Sequence, residues 1–479
     1  MKRFIKTSAS LVLAFTLTFT NVFATTNTER INEIMRSSEE MKNFEYLIGI
    51  AGIDYYFDNQ DSDYLRGALA KILKDHPELF EDALEGAFSA LDPNSQYIKS
   101  SDFASTMEEV DGSYVGIGTT ITVDLGKFFV TPFPDSPAEE AGLQTADIIT
   151  SVDGVSVDGI SLDELVSRVR GKAGTYVELG IKRGEGTFTV KCERREIHVS
   201  PISYDYLEDG IGYLQITSFN GNIEEYLLPA LDDLEKQGAK KIILDLRGNL
   251  GGEVKGALVT ASQFVPNKAL IMTQDFKNDS KNRAFYSSSD KVRFKPIVLI
   301  DEYSASASEI VAGAIKDNKA GVLVGQKSYG KGTVQGVKQV FTGGALWYTV
   351  ASYRLPSGEW IHGKGITPDY VVENSVSPLD ISGIPTLSYQ VLKKGDTGDK
   401  VAALNASLNA LGFKNVNDKG IFDDATESAV TYVQSSKELF PYGVADINTQ
   451  IAIATMLEEA EVVNDDQLAK ALEIARNIK

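Results

Sequence analysis

The sequence predicts a multidomain α/β chain, with a helical N-terminal region, a small mostly β domain, an α/β core and a mainly helical C-terminal domain. The chain has 479 residues, and single cores stop growing at roughly 250–300 residues. Its apolar residues recur first at helical spacing, then at a period of two, then in strands and helices by turns. A stretch rich in Ser, Pro, Gly and Asn, from Glu373 to Thr386, sets the last part off from the rest. With 43% hydrophobic and 24% charged residues the composition suits a chain that folds throughout.

At the start, Lys2, Arg3 and Lys6 precede an apolar run from Leu11 to Phe19 and the small residues around Ala24. That is the pattern of a secretory signal peptide over 1–24. No later stretch reaches the ~18 consecutive apolar residues of a spanning helix. The expectation is therefore a secreted, extracytoplasmic chain with no integral membrane segment after cleavage.

Residues 25–102 form the helical N-terminal region, with Ile31, Ile34 and Met35, then Leu69, Ile72 and Leu73, at helical spacing. Leu91-Asp92-Pro93-Asn94-Ser95 breaks the pattern and reads as the exit into a new unit. The β domain spans 103–194, with strands expected at 127–130, 148–152 and 176–182 and a helix over Leu162–Val169. Cys192, the one cysteine, falls in this alternation; a buried strand position suits it, and it has no partner for an internal disulfide.

The core covers 195–375. Strands are expected at 212–216, 241–246 and 296–300 and helices at 223–237, near 256–264 and at 308–316. That order predicts strands buried on both faces and functional residues at strand ends. After a linker at 376–386, residues 387–457 read as mainly helical. A terminal segment, 458–479, holds an amphipathic helix with acidic residues at its start and basic ones at its end, as the macrodipole favours.

A net charge of -20 repels nucleic acid and serves solubility. Three histidines and one cysteine give no metal-ligand cluster, so no metal and no cofactor are expected.

The chemistry concentrates in three segments. Ile297 to Ile310 reads as a buried strand, a small-residue turn carrying Ser304, Ser306 and Ser308, and a helix start. Such a turn exposes a side chain at the mouth of a sheet and aims backbone N–H groups at it. Residue physics does not choose among the three serines, and helix capping alone would also explain them. Downstream, Gly325-Gln326-Lys327-Ser328-Tyr329-Gly330-Lys331-Gly332-Thr333-Val334-Gln335 follows an apolar strand and sets a lysine between glycines. A desolvated lysine can be neutral near pH 7 and accept a serine proton. The third segment, Leu244-Asp245-Leu246-Arg247-Gly248-Asn249-Leu250-Gly251-Gly252, ends a strand in a glycine pair that can turn N–H groups toward an oxyanion.

The phosphate-loop reading of Gly325 to Lys331 fails because Gly332 stands where Ser or Thr is required and a strand follows. A Ser-His-Asp triad would have to use His362, which reads instead as a surface or packing residue.

Taken together, SASASE followed by GKGTVQ resembles the carboxyl-terminal processing, or tail-specific, peptidase family. The resemblance implies Ser306 as nucleophile, Lys331 as general base and Gln335 as the residue holding the lysine. It also implies an oxyanion hole from Ala307 and from Gly251 or Gly252. Leu250 departs from the proline common in relatives.

Ser136-Pro137-Ala138-Glu139-Glu140-Ala141-Gly142-Leu143, Asp147-Ile148-Ile149 and Val152-Asp153-Gly154 resemble a PDZ domain, with Ala146 where relatives usually have glycine. By that resemblance Tyr114, Val115, Gly116, Ile117 and Gly118 form the loop that binds the carboxylate of a C-terminal tail. Leu392 to Gln434 is similar to the three-helix peptidoglycan-binding domain, with Asn405 and Val433 departing from its usual Gln and Phe.

The implied protein is a wall-associated serine endopeptidase cutting C-terminal tails, dimeric through its N-terminal region and last helix. The alternative is a non-catalytic PDZ scaffold at the wall.

Overall fold

The computed structural model describes residues 4–6 and 61–477, apart from 125, 185, 342, 414 and 415. Apart from Phe4–Lys6, a strand paired with Glu461–Val463, the segment expected as a signal peptide lies outside the described residues, as does the part of the expected helical region before Asp61. Two compact units emerge. One includes 113–199 and 372–470; the other holds 200–371 with the described residues 61–112 and those from Ala471 onward.

The second unit is built on a six-stranded sheet in the order Ile202–Tyr206, Ile211–Ile216, Lys241–Asp245, Lys295–Ile300, Val322–Gly325 and Tyr370–Val371. The first pair is antiparallel and the others are parallel. Ile242, Ile243 and Leu244, and Ile297 through Ile300, are fully buried, which is why these strands read as unbroken apolar runs. Helices Ile223–Lys236, Val254–Ser262 and Ala307–Asp317 alternate with them in sequence, and their apolar residues join the same core.

A second, antiparallel sheet runs Arg283–Tyr286, Leu270–Phe276, Ala345–Arg354, Thr333–Gln339, and Gln96–Ile98 also pairs with Ala345–Arg354. Its register sets Gln335 opposite Thr349. The sequence reading did not separate this sheet, because Thr333–Gln339, half-buried to Gly336 and exposed beyond, and Ala345–Arg354, mostly half-buried, carry no clean alternation.

In the first unit, Thr119–Asp124, Lys127–Pro132, Asp147–Val152, Tyr176–Arg183 and Gly186–Glu193 form a sheet in that order. Val130, Leu165, Val177, Leu179, Ile181 and Cys192 make a fully buried core; burial pushes the Cys192 thiol up to about 11. Asp153 and Gly154 both take positive φ, 48° and 78°, between Asp147–Val152 and Val155–Ser156, as a two-residue hairpin turn requires.

Helices Asp399–Ala410, Asp424–Ser436 and Ile447–Glu459 surround a further core. Asp423 and Asp446 cap the last two by accepting the N–H of Thr426 and of Thr449. Asn405 is buried in that core and donates to the carbonyls of Asn417 and Ile421, while Val433 is wholly buried. Both departures therefore serve packing. The stretch expected as a linker begins in a strand, Val376–Pro378, paired with Glu461–Val463.

Candidate active site

The three serines differ sharply in their surroundings. Ser304 is buried, and its hydroxyl donates to the Leu246 carbonyl at 2.8 Å. Ser308 is buried and donates to the Asn249 carbonyl at 2.8 Å. Ser306 is only half-buried and sits at φ 55°, ψ -112°, immediately before helix Ala307–Asp317. A non-glycine residue in that region is strained and needs its surroundings to hold it. Here its N–H donates to Glu309 Oε2 at 2.9 Å and its carbonyl accepts from the Tyr353 hydroxyl at 3.2 Å.

Glu309 is fully buried and accepts four hydrogen bonds. Ser328 Oγ, at 2.6 Å, and the Gly330 N–H, at 2.7 Å, reach Oε1; the Ser306 and Lys331 N–H groups reach Oε2. Burial raises its pKa above the usual carboxylate value, and the four donors oppose that rise. One carboxylate thus joins the serine turn to the Gly330-Lys331 loop.

Lys331 lies before strand Thr333–Gln339, and its Nζ donates to Gln335 Oε1 at 2.7 Å. Burial lowers its pKa below the 10.5 of an ordinary lysine, against the pull of Asp92 and Glu309. Gln335 Nε2 in turn donates to Thr333 Oγ1 and Thr349 Oγ1, each at 3.1 Å.

The glycine pair lies against the serine turn. Gly251 takes φ 110° and Gly252 φ 138°. A Cβ on Gly251 would stand 2.8 Å from Ser306 Cβ and 3.0 Å from the Ala307 nitrogen, so only glycine fits. The Gly251 N–H donates to Asn249 Oδ1 at 2.8 Å. Ala307 opens its helix, where N–H groups lack intrahelical acceptors.

A cavity of about 210 Å³ is lined by Pro93, Asn94, Tyr329, Gly330, Lys331, His362 and Gly363. His362 stacks on Trp360 and accepts the Gly332 N–H at 3.3 Å; it is a packing residue that also borders the lysine. The turn at Leu91–Ser95, expected to mark a passage between units, instead folds against this site: Thr349 Oγ1 donates to Asp92 Oδ1 at 3.2 Å. Sequence reasoning missed it because a turn signal says where a chain bends and not what it touches.

In the first unit, Tyr114, Val115 and Gly116 belong to strand Ser113–Gly116, paired with Arg195–His198. Ile117 is buried, and Gly118 has φ 74°. Edge strand Thr119–Asp124 follows directly. The Arg170 guanidinium lies 5.1 Å from the Tyr114 ring centre. Among the described residues no group of three or more His, Cys, Asp or Glu could hold a metal, and no helix is long and apolar enough to cross a membrane.

The chain is similar to known families and proteins. Residues 210–372 match the model of peptidase family S41, 130–183 that of the PDZ domain, and 397–453 that of a peptidoglycan binding domain. The carboxy-terminal processing protease CtpA of Bacillus subtilis (strain 168) is 34% identical over 403 residues, spanning 83% of this chain and 85% of the relative. A probable CtpA-like serine protease of Staphylococcus haemolyticus (strain JCSC1435) is 36% identical over 415 residues, spanning 86% and 82%. Among solved structures, the photosystem II D1 C-terminal processing protease matches at 27% identity and a TM-score of 0.40, over 70% of this chain and 94% of that one.

Fold and sequence together define a serine peptidase with PDZ and peptidoglycan-binding modules. The chain belongs to the CtpA-like carboxy-terminal processing proteases of family S41.

Proposed function

We propose that the chain is a secreted, wall-associated endopeptidase that cuts C-terminal tails through an acyl-enzyme on Ser306. The observation that carries this reading is the contrast among the serines: Ser304 and Ser308 are buried on backbone carbonyls, while strained, half-exposed Ser306 shares Glu309 with Lys331.

In this reading neutral Lys331 takes the Ser306 proton as Oγ attacks the scissile carbonyl carbon. The resulting oxyanion is held by the N–H groups of Ala307 and of the glycine loop. Because Gly251 gives its N–H to Asn249, the glycine donor is assigned to Gly252. Lys331 returns the proton to the leaving amine as the C–N bond breaks. A water then loses a proton to Lys331 and attacks the ester carbon; as the bond from that carbon to Ser306 Oγ breaks, Lys331 returns the proton to Oγ, which frees Ser306 and releases the new C-terminal carboxyl group. Gln335 accepts an N–H of the lysine, and its part in this reading is to leave the amine's lone pair for the serine proton.

The PDZ module supplies tail capture, with a carboxylate on the Tyr114–Gly118 loop and the peptide added to edge strand Thr119–Asp124. Signal-directed secretion, attachment to peptidoglycan through 387–457 and a homodimer complete the proposal. The test is cleavage of an extracytoplasmic reporter with an apolar C-terminal tail. Wild type is expected to cut, with Ser306→Ala and Lys331→Ala silent; variants that cut as well as wild type would sink the mechanism.

A further inference from the structure

The lysine's partner is itself held from a distant part of the chain. We propose that Asp92 is a positioning residue for Lys331, acting through Thr349 and Gln335. The inference rests on the Ser306–Lys331 reading above.

A threonine hydroxyl has one proton to give. Thr349 gives it to Asp92 Oδ1 at 3.2 Å, so its lone pairs are what Gln335 meets. Gln335 must then turn Nε2 toward Thr349, at 3.1 Å, and toward Thr333. That leaves Oε1 for Lys331 Nζ at 2.7 Å. A carboxylate only accepts, so Asp92 sets the direction of every bond in the chain. With the direction reversed, the amide would present N–H to the lysine, and nothing would hold the amine's own hydrogen away from Ser306.

Asp92 is well placed for this task. Its Oδ1 accepts the Asn94 N–H at 2.8 Å and its Oδ2 accepts Ser95 Oγ at 2.6 Å. Ser95 Oγ in turn accepts the Thr349 N–H at 3.1 Å. The turn therefore grips Thr349 at both its N–H and its hydroxyl. Gln96–Ile98, pairing with Ala345–Trp347, carries the turn to that point. Pro93 and Asn94 continue into the cavity beside Lys331. The turn lies outside residues 210–372, the part that matches the peptidase family.

Asp92 also acts by charge. Its negative field favours protonated Lys331 and so opposes the effect of burial. Among the described residues, the other charged or titratable groups beside the lysine are Glu309 from helix Ala307–Asp317, and Tyr329 and His362 at the cavity. Removing Asp92 should both misdirect the base and make it easier to deprotonate.

The test measures kcat and KM against pH on one peptide reporter with the full-length protein. Asp92→Ala, which removes the acceptor that Thr349 needs, is expected to lose roughly 10- to 100-fold in kcat, as a misplaced base does, with KM within about twofold. The acid limb of kcat/KM should move to lower pH, also in a His362→Gln background. Thr349→Val should reproduce the loss and Thr349→Ser should avoid it; this pair carries the test if Asp92 variants do not fold. Unchanged kcat in Asp92→Ala beside a silent Lys331→Ala would overturn this inference alone. So would a loss of kcat with an unmoved limb and a lowered Tm, the mark of a merely structural role. A Lys331→Ala enzyme that cuts like wild type would overturn this inference and the underlying reading together.

Discussion

The backbone of Lys331 and the side chain of Glu309 are joined directly: the Lys331 N–H donates to Glu309 Oε2 at 2.8 Å, and the same oxygen accepts the Ser306 N–H at 2.9 Å. The serine and the lysine are therefore referenced to one buried atom. Glu309→Gln keeps the shape but replaces one acceptor oxygen with an NH2 group, so two of the four donors lose their partner. The expected result is a loss of roughly 100-fold in kcat, with about 1–3 kcal/mol of stability. Steady-state kinetics and denaturant unfolding of the variant check both.

Lys331 gives a pH prediction whose sign follows from its environment. Burial lowers its pKa below 10.5, so the neutral base is present in the folded protein at pH values where a free lysine is charged. Activity should rise with pH along a limb that lies below 10.5. The lowered folded value also means that this group's contribution to stability is present above the unfolded pKa and lost as pH falls through the folded one. Lys331→Arg keeps a cation that does not deprotonate, and should be silent at every pH. A rate profile of both enzymes decides it.

Gly251 separates steric need from backbone habit. At φ 110° an added Cβ meets Ser306 Cβ at 2.8 Å and the Ala305 carbonyl oxygen at 2.9 Å. Gly251→Ala should cost at least roughly 100-fold in kcat, because the serine turn must shift. Gly159, at φ 76° with nothing within 4 Å of a built Cβ, is the control. Gly159→Ala should cost about 1–2 kcal/mol of stability and leave kcat unchanged.

The contrast also marks what could be read from the sequence. Strand ends at Ile300 and Asp245 and the helix from Ala307 were legible because buried parallel strands are continuous apolar runs closed by small residues. The segments holding Ser306, Lys331 and the glycine pair were visible for the same reason. Three partners were not. Glu309 stands in a helix's first turn, where the macrodipole alone favours an acidic residue, Thr349 belongs to a half-buried strand without alternation, and Asp92 to a turn. Their roles depend on contacts between residues remote in sequence, such as Asp92 with Thr349, which local period and propensity do not encode.

Ala146 is a departure that the backbone explains. It takes φ 70°, a conformation that disfavours a Cβ, at the position where the PDZ resemblance implies glycine. Ala146→Gly should therefore stabilise the PDZ module by about 0.5–1 kcal/mol, the strain relieved less the entropy that glycine adds to the unfolded chain. Thermal unfolding of the full-length protein reads the change, and a lower Tm would show that the alanine is not strained.

The last prediction concerns the contact between the PDZ and peptidoglycan-binding modules within the first unit. Lys182 Nζ donates to Asp424 Oδ2 at 2.6 Å, Lys394 pairs with the other oxygen, and Lys127 Nζ donates to Ser428 Oγ at 3.0 Å. Hydrogen bonds from Lys182 and Lys394 lower the Asp424 pKa below 3.8. A carboxylate with a depressed folded pKa contributes stability above its unfolded value and loses it as pH falls through the folded one. At pH 7 Asp424→Asn should lower Tm by about 1–3 °C, the scale of a partly exposed ion pair, and the gap to wild type should narrow as pH falls through 3.8 and below. Because the charges are partly in solvent, 1 M salt should narrow the gap as well. A difference independent of both pH and salt would mean that the pair contributes through packing and that charge does not hold the two modules together.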